Sequence, residues 1–131
     1  MLNRDTYRLS RAFPPGEAFA LTAQVRRSST SVAANIAEGA GRNSDPDFAR
    51  FLEQAYGSLM ETASHLYLAL DEGYVDEATL APVLDRASGL AGRIVVLNHS
   101  LEVARSKTRF ARPARQPTST LDARPSTPVI E

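Results

Sequence analysis

Cysteine is absent from the 131 residues, which excludes disulfide frameworks, thiolate metal sites and cysteine nucleophiles. Imidazoles are scarce, with His65 and His99 the only two, and lysine occurs once beside fourteen arginines. No apolar run approaches the roughly 20 residues of a membrane span. The first residues, MLNRDTYRLSR, lack the apolar core of a signal peptide, so a soluble cytoplasmic protein with no membrane partner is expected. Alternation of period two is missing too, which leaves no candidate strand. Net charge is zero, yet unevenly spread: from position 105 onward six basic residues face two acidic ones, leaving residues 1–104 with a charge of −4. An acidic body is not the profile of a compact nucleic-acid-binding domain, so any polyanion contact must lean on the tail or on local arginines.

What the chain does have is a strong helical period. From Glu17 to Arg42, Leu21, Val25, Val32 and Ile36 share one narrow apolar stripe. Beside it Gln24, Arg27, Ser31, Asn35 and Glu38 recur at steps of three and four as a polar ladder. Ser28, Ser29, Ala33, Ala34 and Ala37 lie between, small enough for another helix to approach closely. Ser28 interrupts the stripe where tight packing is expected.

Around this stretch the chain reads as four helices. A short first helix over residues 2–12 ends at Phe13-Pro14-Pro15-Gly16, because a residue before proline is pushed out of the helical region. Pro15 then suits the opening of the second helix, which should close on a left-handed cap at Gly39-Ala40-Gly41. Ser44 with Asp47 matches a capping pattern for the third helix. From Phe48 to Leu70 its apolar residues cover about half the wheel, wider than a core-facing helix needs, so it is central or meets two partners. Gly57 lies in the opposite, polar arc. Either a solvent face tolerates it, or the backbone of a neighbouring subunit packs closely there. After Gly73 the last helix begins near Asp76 or Thr79, and Val83, Ala87, Leu90, Ile94, Leu97 and Leu101 form its seam. It fades after Val103; the Pro-, Ser-, Thr- and Arg-rich remainder carries too few apolar residues to offset its own ordering.

The expected architecture is all-α: an antiparallel up-and-down four-helix bundle over residues 1–104 with a shortened first helix, followed by a disordered basic tail over 105–131.

The run QVRRSSTSVAANIAEGAGR, with FPPGEAFALT before it and FARFLEQAYGSLMET and EGYVD after it, resembles the proteins encoded in 23S rRNA intervening sequences. The accessory proteins of diversity-generating retroelements are similar to that family. The resemblance spans about Tyr7 to Leu101 and implies a four-helix bundle assembled as a homopentamer, without known enzymatic activity and with a link to RNA. Two features depart from the pattern. The first helix is short, through a start placed too far downstream or a genuine truncation; if genuine, the far ends of the other helices expose apolar surface. The acidic body also sits poorly with the strongly basic retroelement branch.

No catalytic constellation is legible. A di-iron bundle needs Glu-x-x-His pairs, whereas here Glu61 precedes His65 by four residues and Glu102 follows His99. No serine sits in a nucleophile elbow, and Gly39 to Gly41 lack the strand and lysine of a phosphate loop, so no cofactor, metal or catalytic residue is expected. The polar ladder reads either as a solvated face or as a register-fixing network in which Arg27, Asn35 and Glu38 reach Gln54 or Glu61 of the third helix or of another subunit. Arg26, Arg42, Arg105, Lys107, Arg109, Arg112 and Arg115 are the candidate nucleic-acid contacts. A non-enzymatic oligomeric scaffold associated with RNA is the leading expectation. A protein-binding adaptor, such as an accessory subunit of a reverse transcriptase, is the alternative.

Overall fold

Helix α1 (Leu2–Ser10) opens the computed structural model, which describes residues 1–111. It is followed by a 3-10 turn at Pro15–Glu17 and by α2 (Leu21–Ala40), α3 (Asp45–Asp71) and α4 (Glu77–Ala111). Among the described residues there is no strand. Helix α2 packs on α1 and α3, and α4 on α3 and α1. Ser28 pairs with Thr62 and Ser31 with Ser58, so residue numbers rise along α2 as they fall along α3, the sense of antiparallel neighbours. Arg26 with Ser10 and Ser29 with Asn3 show the same opposition between α2 and α1.

One core joins the helices. Val25 and Val32 of α2, Leu52, Ala55, Leu59 and Leu66 of α3, and Leu80, Val83 and Ile94 of α4 are all buried in it, with Leu2, Leu9 and Phe13 closing one end. Helix α3 has two partners in the chain, α2 and α4, which cover part of its broad apolar arc and leave Tyr56, Met60 and Tyr67 exposed.

Helix ends follow local chemistry. Ser44 Oγ accepts the Asp47 N–H at 3.3 Å and starts α3 as its cap. Gly73, with φ of 74°, ends that helix in the left-handed region, where only a glycine is unstrained. Asp76 Oδ1 takes the Thr79 N–H at 2.7 Å and starts α4.

Three expectations need correction. Helix α2 begins at Leu21, because Pro15 nucleates a separate 3-10 turn; the Glu17 carboxylate caps α2 from outside by accepting the Leu21 N–H at 3.2 Å. The other Glu17 oxygen accepts the Tyr74 hydroxyl at 3.0 Å, a hydrogen bond that raises the pKa of the phenol. Gly41 has φ of −83°, so α2 ends without a left-handed residue. Helix α4 continues through Arg105, Lys107 and Arg109 to Ala111, since ARSKTRFA contains good helix formers and its first breaker is Pro113. The expected disorder further on, with Arg112 and Arg115, lies outside the described residues.

The α4 seam is only partly covered. Val83, Ala87 and Ile94 are buried, Leu90 and Leu101 are half-buried, and Leu97 is exposed. Length explains this: at 1.5 Å per residue the 35 residues of α4 extend about 52 Å, while the 9 residues of α1 reach about 14 Å. Among the described residues no helix is long and apolar enough to cross a membrane.

Candidate nucleic-acid interface

Helix α1 turns Leu2 and Leu9 inward, and Arg4 and Arg8 on its outer side, with Arg11 at its C-cap, follow at steps of four and three. Between them Asp5 is nearly buried and holds the helix to α4: its Oδ2 accepts Arg86 Nε at 2.8 Å and its Oδ1 accepts Arg8 Nη2 at 3.3 Å. On the other flank Asn3 Oδ1 accepts the hydroxyls of Ser29 and Thr30 at 2.8 and 3.2 Å. The Arg26 guanidinium lies 4.8 Å from the centre of the Tyr7 ring and donates from Nε to Ser10 Oγ at 2.8 Å. These contacts fix α1 in place and leave a groove of about 560 Å³ lined by Met1, Arg4, Asp5, Tyr7, Arg8, Arg11 and Arg86. Four guanidiniums against one carboxylate give this lining a side-chain charge of +3. Among the described residues Arg4 and Arg11 form no ion pair.

The arginines singled out from the sequence are differently employed. Arg26 is spent on Tyr7 and Ser10, as above. Arg42 pairs with Glu38 at 2.7 Å and stacks 4.8 Å from the Phe51 ring centre, which Arg50 also approaches at 4.8 Å. Arg105 and Arg109 line a second groove with Asn43, Asp45, Pro46 and Thr108, at the opposite end of α4 from Arg86. Lys107 is exposed on the same helix. Sequence reasoning passed over Arg4, Arg8 and Arg11, although their spacing on one side of a short helix was a readable signal.

The polar ladder forms only in part. Ser31 Oγ meets Ser58 Oγ at 2.9 Å, and Asn35 Nδ2 donates back to the Ser31 carbonyl at 2.9 Å and to its hydroxyl at 3.0 Å. Among the described residues Arg27, Asn35 and Glu38 make no hydrogen bond to Gln54 or Glu61. Gln24, Arg27 and Gln54 are exposed, Glu38 serves Arg42, and Glu61 lies 3.3 Å from His65. The polar link between α2 and α3 instead uses short side chains, because the helices meet on their small residues. There Thr62 Oγ1 donates to the buried Ser28 Oγ at 2.8 Å, and Ser28 donates to the Val25 carbonyl at 3.1 Å.

Within the chain, close approach occurs at Gly39. A Cβ at Gly39 would stand 2.7 Å from Phe51 Cβ and 2.9 Å from Phe48 Cδ2, whereas one at Gly57 would meet nothing within 4 Å in the chain. Among the described residues no three His, Asp or Glu side chains gather to hold a metal ion.

No curated protein matches the chain. A sequence profile of the family described as 23S rRNA-intervening sequence protein matches residues 1–95, from the start of the chain into α4 and across the four-helix core. The chain therefore belongs to the 23S rRNA-intervening sequence protein family.

Proposed function

We propose that the protein is a non-enzymatic, self-associating helical scaffold that contacts RNA in the cytoplasm. The observation that carries this reading is an apolar band left uncovered on α3 and α4. Tyr56, Met60 and Tyr67 recur along one line of α3 and are exposed, Tyr67 by 53%. Tyr56 reaches Val95 of α4 across a cleft of about 210 Å³ that is also lined by Leu52, Glu53, Ile94 and Asn98. Asn98 Oδ1 is buried at this cleft without a hydrogen-bond partner among the described residues. A contiguous apolar surface of this kind marks an interface, and a second copy that brought a donor to Asn98 would satisfy the orphaned oxygen. Five copies are what the family resemblance implies. Support for the RNA contact comes from the +3 groove and from the family's name.

Native mass spectrometry of the full chain, with and without added single-stranded RNA, tests the reading. A multiple of 14.2 kDa that takes up RNA supports it, and a bare 14.2 kDa species under both conditions contradicts it.

A further inference from the structure

We propose that the groove between α1 and α4 is a track for the sugar-phosphate backbone of single-stranded RNA, with Arg4 and Arg11 as its phosphate contacts and Tyr7 as a stacking face. The assignment rests on the RNA-contact reading above and commits it to one surface.

Charge is the first ground. The chain is neutral overall and its first 104 residues are acidic, yet the groove concentrates four guanidiniums around a single carboxylate. That carboxylate is already engaged, since Asp5 accepts from both Arg86 and Arg8. Arg4 and Arg11 are left to find an anion elsewhere. Seven residues apart, Arg4 within α1 and Arg11 as its C-cap in helical backbone conformation, they stand roughly 10 Å from each other along the groove.

Chemistry is the second ground. Every cationic side chain of the lining is an arginine, whose planar fork matches a phosphate at two oxygens. Tyr7 lies in the same lining with 37% of its surface exposed; Arg26 occupies one face of its ring, so a base would stack on the opposite one. Basic side chains beside an aromatic face are what a single strand requires, because its phosphates follow the cations while an unstacked base rests on the ring. An acidic protein segment would use the arginines and leave the ring without a role.

Rigidity is the third. Asp5 to Arg86, Arg26 to Ser10 and Ser29 to Asn3 pin α1 at three points, so the cations need little ordering when a strand arrives.

Fluorescence anisotropy with a labelled single-stranded RNA of mixed sequence, using the full chain, provides the test. The double variant Arg4→Gln/Arg11→Gln breaks no ion pair and should keep the wild-type melting temperature while binding at least about tenfold more weakly. Its salt dependence should also flatten by about 1.4 in log–log slope, the share of two phosphate contacts on a single strand. Arg105→Gln/Arg109→Gln removes the same charge at the far end of α4 and should cost less. Wild-type binding that the α1 variant leaves unchanged overturns the groove and leaves the RNA reading standing. Failure of the wild type to bind overturns both. If polyglutamate competes as well as unlabelled RNA, the groove serves an acidic protein and the assignment to RNA falls.

Discussion

Arg86 and Asp5, separated by 81 positions in sequence, meet at 2.8 Å and tie the shortest helix of the bundle to the longest. Asp5 retains 12% of its side-chain exposure and Arg86 44%, so the pair is half screened. Asp5→Ala should therefore destabilise the fold by about 1 to 2 kcal/mol, below the cost of breaking a fully buried pair. Arg86→Ala should cost a similar amount, and the double variant less than the sum of the two. Chemical denaturation of all four proteins measures the coupling; strict additivity would show that the contact contributes nothing.

Gly39 and Gly57 make a matched pair of tests. Gly39→Ala forces a methyl group into Phe51 and Phe48, and should cost about 1 to 3 kcal/mol. Gly57→Ala adds its methyl to open space and should stabilise the isolated chain by about 0.5 to 1 kcal/mol through helix propensity. If Gly57→Ala instead lowers the oligomer mass, a neighbouring backbone packs there.

Acid should loosen the start of α4. Hydrogen bonds from Thr79 hold the Asp76 carboxyl below its ordinary value of 3.8. A folded-state pKa that is depressed means the stabilisation is present above the ordinary value and is lost as pH falls through the lower folded one. Melting temperature followed into the acid range should drop less steeply for Asp76→Asn than for the wild type, since an amide also caps but does not titrate. Parallel slopes would remove Asp76 from the account.

Among the described residues no hydrogen bond or ion pair joins Arg27 and Glu61, so Arg27→Ala and Glu61→Ala should be additive in the melting temperature of the isolated chain. Coupled effects on oligomer mass would place these side chains across an interface between copies.

Much of the fold was legible from the chain because it depended on local rules. Ser44 and Gly73 bound α3 as their chemistry demands, and the periodic leucines and valines of α2 and α3 do face the core. Errors arose where distant parts compete. Nothing near Ala20 marks the start of α2, since its cap is supplied by Glu17 four residues before Leu21. Arg26 and Arg42 look like free cations until Tyr7, Ser10, Glu38 and Phe51 are brought beside them. The ladder's side chains share a helical line, but within the chain only its Ser31 bonds to α3, next to Ser28 of the small-residue strip, a matter of which edge the neighbour takes.

The apolar band on α3 and α4 bears the weight of the functional reading, and light scattering coupled to size exclusion tests it most directly. The wild-type chain should elute at a multiple of 14.2 kDa, and Met60→Lys/Tyr67→Lys, altering only exposed positions, should fall to 14.2 kDa with its helical content intact. A wild type that runs as a well-folded 14.2 kDa monomer, or a double variant that keeps the full assembly mass, would contradict the account.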